Sequence, residues 1–132
     1  MSTLVIFFSQ SGNTRKLADM IGAAVGGDIA EINDAGRSDA DLSKYDTVFV
    51  GSPNWAATAA GPVKTFLSSA DLSGKNVAVF CTHGMGGMQN VCDDMIKLCP
   101  SSTILGRFAF KGVDVDSAGD KLNEWLREIG VL

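Results

Sequence analysis

The sequence is poor in the residues that mark several functional classes. It has one histidine, three cysteines and three prolines among 132 residues. No apolar run approaches the roughly 20 residues that a membrane-spanning helix needs. Eleven lysines and arginines against 15 aspartates and glutamates give a net charge of −4, and no basic cluster follows the spacing of a nucleic-acid backbone. We therefore expect neither a nucleic acid nor a membrane as partner.

The spacing of the three cysteines argues against a redox-active CxxC pair and against a metal site. Cys81, Cys92 and Cys99 form neither a CxxC pair nor a metal-ligand spacing, so we predict no metal site and expect buried, reduced thiols. Reduced thiols are typical of a reducing compartment. The opening segment "MSTLVIFF" lacks a basic region and a small-residue cleavage site, which favours a first strand over a signal peptide. The expected location is the cytoplasm.

What the chain does contain is an alternation of apolar strand-like and amphipathic helix-like segments. Strands are predicted at 4–8, 29–32, 47–51, 76–81 and 103–110, and helices at 15–25, from Pro62 onward, around 88–96 and at 118–129. Alternation of this kind predicts a parallel sheet covered on both faces. We predict one α/β domain over residues 1–132: a three-layer sandwich with a five-stranded parallel sheet of order 2-1-3-4-5 and helices on both faces.

Three loops of unusual composition leave the carboxyl ends of strands one, three and four, at 9–14, 52–61 and 82–87. In doubly wound sheets, ligands bind outside the carboxyl ends of the strands at the point where the strand order reverses. In the predicted order that point lies between strands one and three. The three loops are therefore the predicted binding site.

The first loop is built almost wholly from neutral polar residues and leads into a helix. A helix N-terminus offers free N–H groups and a favourable dipole to an anion, and hydroxyl and amide side chains add donors. A helix cap alone needs one such residue. The chain has no GxxxxGK[ST], no GxGxxG after the first strand, and no cysteine followed five residues later by arginine. We therefore interpret the loop as a phosphate site outside those motif classes.

Three segments resemble the FMN-binding loops of flavodoxins and short-chain flavodoxin-like proteins. The phosphate loop of that family is similar to "FSQSGNTRKLADMI", the second loop to "VGSPNWAATAAGPVKTFL" and the Gly-rich third loop to "AVFCTHGMGG". The likeness continues to the closing "LNEWLREIG" and so covers essentially the whole chain. It implies the flavodoxin-like fold and FMN as the cofactor.

The resemblance also implies a set of cofactor-binding residues. The phosphate would be held by Ser9, Gln10, Ser11, Gly12, Asn13 and Thr14. The ribityl chain and isoalloxazine would be lined by Pro53, Asn54, Trp55 and Ala56, with the indole stacking on the ring. The pyrimidine edge and the other ring face would meet Thr82, His83, Gly84, Met85, Gly86 and Gly87.

The chain departs from its relatives in the second and third loops. Relatives often carry a second aromatic and then a glycine after the tryptophan, where this chain has Ala56 and Ala57. Met85 stands where some flavodoxins place an aromatic over the flavin. One flat stacking surface remains, so we expect FMN binding weaker by about 0.5–1.5 kcal/mol than in a two-aromatic relative.

The resemblance implies an electron carrier that passes low-potential electrons between redox proteins by transient docking, and we expect a monomer. No residue needs to act as an acid, base or nucleophile, because the cofactor supplies the chemistry. Two alternatives remain open at this stage. One is an FMN-dependent NAD(P)H:quinone-type reductase, and the other is a flavodoxin-like binding module that has lost FMN. The role of His83 is also left open.

Overall fold

A parallel sheet forms the middle layer of the structure, a computed structural model that describes residues 2–84 and 86–132. The strands are β1 (Thr3–Phe7), β2 (Asp28–Glu31), β3 (Thr47–Trp55), β4 (Thr58–Ala59), β5 (Asn76–His83) and β6 (Thr103–Lys111). Five of them are parallel in the order β2-β1-β3-β5-β6, and β4 pairs antiparallel with β3. The parallel part has the predicted 2-1-3-4-5 order, so the predicted fold class is confirmed and β4 is an addition to it.

Within the described residues, four helices cover the two faces of the sheet: α1 (Asn13–Val25), α2 (Gly61–Ser69), α3 (Val91–Lys97) and α4 (Gly119–Glu128). Successive strand residues point to opposite faces, and both faces of β1 are apolar. Leu4 and Ile6 belong to the core shared with α2 and α3, whereas Val5 and Phe7 belong to the core shared with α1 and α4. This two-sided burial produces the three layers that the sequence pattern predicts.

The prediction of a loop over residues 52–61 is wrong for its first half. β3 continues past Gly51 to Trp55, and the chain then turns back into β4. The register pairs Trp55 with Thr58 and leaves two turn residues, Ala56 at φ 52° and Ala57 at φ 75°. Positive φ at both central residues is typical of the two-residue hairpin turn whose twist matches its strands.

Two further boundaries affect the site. β5 extends two residues beyond its predicted end, so Thr82 and His83 lie at the end of a strand. After β6, residues Gly112–Ser117 form a 3₁₀ turn that leads toward α4, which the sequence pattern does not predict. Both features carry the chain along the carboxyl edge of the sheet.

The cysteine prediction is confirmed: Cys81, Cys92 and Cys99 are all buried and unpaired. The adjacent Cys92 thiol and burial together raise the pKa of Cys81, and burial raises the pKa of Cys99. The thiols of Cys81 and Cys99 therefore stay protonated and unreactive. Among the described residues, none of the helices has both the length and the apolar character that a membrane crossing requires.

Candidate functional site

A cavity of about 310 Å³ lies at the carboxyl edge of the sheet and is bounded by all three predicted loops. Its volume is at the lower end of the range of small-molecule sites. From the predicted set it is lined by Gln10, Ser11, Asn13, Pro53, Asn54, Trp55, Thr82, His83 and Gly84. A larger groove of about 420 Å³ lies nearby but contains Ser9 alone from that set. The smaller cavity is therefore the candidate site.

The first loop presents free backbone donors. Gly12 precedes α1 with φ 95°, a conformation that favours glycine, and the Ser9 hydroxyl accepts hydrogen bonds from the N–H groups of Gly12 and Arg15, both at 3.2 Å. In the part of the chain that the structure describes, the N–H groups of Ser11, Asn13 and Thr14 have no acceptor. Donors at the positive end of the helix dipole suit an anion.

The two cations that follow the first loop each lie beside a carboxylate. Arg15 pairs with Glu31 at 2.5 Å, and Lys16 lies 3.8 Å from Asp116. Both pairs are substantially exposed, so they contribute little to stability. The anion-binding capacity of the loop therefore depends on neutral donors and the helix dipole.

Thr14 is placed differently from the other residues of its loop. It is buried, and its hydroxyl lies 2.7 Å from the hydroxyl of Thr82 at the end of β5. One of the two hydroxyls donates and the other accepts, which leaves one hydroxyl hydrogen available to a third group. This pair joins the first and third loops at the base of the site.

Trp55 supplies the aromatic surface of the cavity. Its indole meets the buried Phe8 ring edge-on, with centroids 5.4 Å apart and an interplanar angle of 88°. This contact fixes the indole from the protein side. Its half-buried position leaves part of the ring surface available to a planar ligand, for which aromatic stacking is favourable.

The third loop follows β5. The His83 Nδ1 lies 2.9 Å from the Gly84 carbonyl oxygen, and because a carbonyl only accepts, Nδ1 donates and Nε2 is left without the proton in the neutral ring. Gly86 and Gly87 continue the loop, and Gly87 has φ 76°. The predicted residue Met85 lies outside the described residues.

Two lining residues were missed by sequence reasoning. Gly112 and Val113 begin the 3₁₀ turn after β6 and close the cavity beside the first loop. A Cβ on Gly112 would lie 2.7 Å from the side-chain nitrogen Nδ2 of Asn13, so glycine permits the Asn13 side chain to approach the backbone of this turn closely. Val113 is 78% exposed. The only signal in the sequence is the glycine itself at the end of a predicted strand.

Comparison with known proteins gives a consistent result. The flavodoxin family model matches residues 35–129. A flavodoxin from Picosynechococcus is 35% identical over 117 residues, which cover 80% of this chain and 67% of that protein. Six further flavodoxins also match at 35% identity, and the chain spans about half of their length, 46–49%.

Solved structures of similar fold cover nearly the whole chain. A WrbA-like flavodoxin from Agrobacterium tumefaciens aligns with a TM-score of 0.80 at 17% identity, covering 98% of this chain and 96% of that one. A flavoprotein from Lactobacillus acidophilus, solved in complex with FMN, aligns with a TM-score of 0.68 at 21% identity, covering 92% of this chain and 98% of that one. These likenesses confirm the flavodoxin-like fold.

Proposed function

The chain belongs to the flavodoxin family, and we propose that it binds FMN in the 310 Å³ cavity and carries electrons between redox proteins. One observation carries the proposal: free N–H donors at the start of α1 and the Trp55 indole line a single cavity. A phosphate and a planar ring are the two ends of FMN, and this cavity offers a complementary surface to each.

Each loop has its own role in this proposal. The phosphate would be held by residues 9–14, chiefly through the free N–H groups of Ser11, Asn13 and Thr14. Trp55 would offer its indole to the ring, and Thr82 and His83 would offer polar groups to it. His83 carries its ring proton on Nδ1, so Nε2 is the nitrogen that can accept a hydrogen bond from a bound ligand.

The bound flavin supplies the redox chemistry, and the residues of the chain bind it, orient it and limit the access of water. The neutral phosphate site matters to this role. Arg15 and Lys16 each lie beside a carboxylate of the chain, so the proposed site does not depend on either cation. The phosphate charge is therefore met by hydrogen bonds and the helix dipole.

The proposal also covers the partner, the oligomeric state and the location of the protein. Transient docking to a reductase or an oxidoreductase partner would occur at the mouth of the cavity, where the exposed Val113 lies. We propose a monomer located in the cytoplasm, which fits the buried, unpaired cysteines. An FMN-dependent quinone reductase is the principal competing function.

The first experiment is a titration of the apoprotein with FMN, followed by quenching of flavin fluorescence. The loaded protein is then reduced stepwise under anaerobic conditions, and absorbance reports how many electrons enter at each step. Riboflavin, which lacks the phosphate, serves as the matched ligand control. Quenched, saturable FMN binding that is much weaker for riboflavin is expected, with one-electron reduction.

The outcomes separate the three candidate functions. Two-electron reduction together with NAD(P)H oxidation by the protein alone would replace the carrier with the reductase. Absence of FMN binding would overturn the proposal and favour a binding module that has lost the cofactor. Equal affinity for FMN and riboflavin would contradict the phosphate role of residues 9–14.

A further inference from the structure

The Asn54 side chain, which lines the cavity, is occupied by protein partners in both the hairpin turn and the third loop. Its Oδ1 accepts a hydrogen bond from the Ala57 N–H at 2.8 Å, within the hairpin turn. Its Nδ2 donates to the Gly87 carbonyl at 2.9 Å and to Gln89 Oε1 at 2.9 Å, both in the third loop. Because an N–H only donates and a carbonyl only accepts, these partners fix the orientation of the amide. Both of its donor hydrogens are used.

The three partners share an unusual backbone conformation. Ala57, Gly87 and Gln89 have φ values of 75°, 76° and 45°. In the described part of the chain, Ala56, Ala57 and Gln89 are the non-glycine residues with positive φ. Left-handed backbone is costly for residues that carry a Cβ and persists where surrounding contacts hold it. The Asn54 side chain thus bonds to two of the three non-glycine residues with positive φ, Ala57 and Gln89.

We propose that Asn54 is a positioning residue that ties the hairpin turn to the third loop and so sets the width of the cavity between them. The inference rests on the proposed function in one respect, because the spacing between the two loops determines how the flavin ring is held. It differs from the role implied by family resemblance, in which Asn54 lines the cofactor itself. A side chain with both hydrogens engaged has no donor left for a ligand.

The backbone provides a second link between the same loops. The Asn90 N–H donates to the Ala57 carbonyl at 3.0 Å, so the Ala57 peptide is bonded at its N–H by Asn54 and at its carbonyl by Asn90. The Asn90 bond does not involve a side chain and survives substitution of Asn54. Loss of Asn54 is therefore expected to loosen the two loops without separating them.

We call the hydrogen bonds of Asn54 to the hairpin turn and to the third loop the clamp. The variant Asn54→Asp tests the bond to the turn separately from the bonds to the third loop. An aspartate of similar shape still accepts from the Ala57 N–H but cannot donate to the Gly87 carbonyl, whose oxygen its charge repels, while the exposed Gln89 amide can rotate to donate to it. Asn54→Ala removes all three bonds. Gln89→Ala, at an exposed position, removes one cross-loop bond and leaves Asn54 intact. Asn123→Asp, on α4 and outside the cavity, is the charge-matched control.

The first readout is amide hydrogen exchange in the apoprotein, which requires no cofactor. In Asn54→Asp, the Asn90 amide, which bonds to the Ala57 carbonyl across the two loops, is expected to exchange about tenfold faster, because the bond that holds Gly87 against the hairpin turn is lost. Asn54→Ala also accelerates the Ala57 amide, and Gln89→Ala gives a smaller change at the Asn90 amide. Asn123→Asp leaves both amides unchanged.

The second readout is FMN affinity by fluorescence titration. The dissociation constant is expected to rise about tenfold in both Asn54 variants and to stay unchanged in Asn123→Asp. Unchanged exchange of the Asn90 amide in both Asn54→Asp and Gln89→Ala would overturn the proposal. Weaker FMN binding without faster exchange would also overturn it, in favour of direct contact. If the wild type does not bind FMN, the proposed function fails while the exchange data still decide the clamp.

Discussion

The Thr14 and Thr82 hydroxyls lie 2.7 Å apart, buried at the point where the start of α1 meets the end of β5. The two residues are 68 positions apart in the sequence. One belongs to the predicted phosphate loop and the other to the predicted ring-binding loop. Their hydrogen bond therefore connects the two ends of the proposed cofactor site through the protein.

Replacing either hydroxyl leaves the other without its partner. We expect Thr14→Val and Thr82→Val each to lower the free energy of unfolding by about 1–2 kcal/mol, because a buried polar group loses its hydrogen bond. The double variant is expected to lose less than the sum, since two methyl groups then face each other. Urea unfolding of the four proteins without cofactor gives the coupling energy.

The exposed Thr103→Val serves as a reference for the intrinsic effect of this replacement in a strand. Additive losses in the double variant would show that the two hydroxyls do not stabilise each other, and the link between the loops would then be only a matter of proximity.

The Ala56–Ala57 turn predicts a stabilising substitution. Ala57 has φ 75°, which costs a residue with a Cβ about 1–2 kcal/mol, whereas glycine adopts it freely and loses only about 0.5–1 kcal/mol in chain entropy. Ala57→Gly is therefore expected to raise the free energy of unfolding by about 0.5–1 kcal/mol. Ala23→Gly, exposed in α1, is expected to lower it by about 1 kcal/mol. If the free energy of unfolding fell in both variants, the backbone of Ala57 would not be strained.

The fold was predictable because alternating buried strands and amphipathic helices leave few topologies. The turn was not, because its two-residue hairpin normally shows glycine or asparagine at the positive φ positions, and Ala56 and Ala57 give no such signal. The restraint comes from Asn54, which lies three residues before Ala57, accepts its N–H and also bonds to the third loop. A contact of this kind depends on how the loops meet in space, which a linear pattern does not specify.

Trp55 is expected to contribute to ring binding through stacking. Trp55→Ala should weaken FMN binding by about 1 kcal/mol, roughly fivefold in the dissociation constant, and Trp55→Phe by less. Fluorescence titration measures both. Because Trp55 also contacts Phe8, urea unfolding of the apoproteins separates the loss of ring binding from the loss of stability. Unchanged affinity in Trp55→Ala would contradict the stacking role.

Asp94 predicts a pH dependence of stability. The Thr58 hydroxyl donates to its carboxylate, as does the Ala59 N–H at 3.3 Å, and the Thr58 bond chiefly lowers the pKa of Asp94. A lowered pKa in the folded state means that the contribution is complete above the ordinary carboxyl pKa of 3.8 and is lost as the pH falls through the folded value.

The corresponding variant is Asp94→Asn. It is expected to lower the free energy of unfolding by about 1 kcal/mol at pH 7, and the difference should shrink as the pH is lowered below 4. Asp93→Asn, whose carboxylate pairs with the exposed Arg107, is the matched control and should change stability little. A difference that is constant from pH 7 to pH 3 would contradict the role of the charged carboxylate.

Gly112 offers a test of the phosphate end that leaves the loop sequence intact. A Cβ at this position would lie 2.7 Å from the side-chain nitrogen Nδ2 of Asn13 and 3.3 Å from the Asn13 Cβ, so Gly112→Ala must displace the Asn13 side chain. We expect FMN affinity to fall about tenfold, through loss of a donor and altered loop geometry. Riboflavin affinity should hardly change, because riboflavin has no phosphate. Gly119→Ala, whose nearest neighbour is the flexible Met20 side chain at 4.0 Å, is the control. Equal loss of both ligands in Gly112→Ala would place its effect on the ring end of the cavity and contradict the assignment of Asn13 to the phosphate.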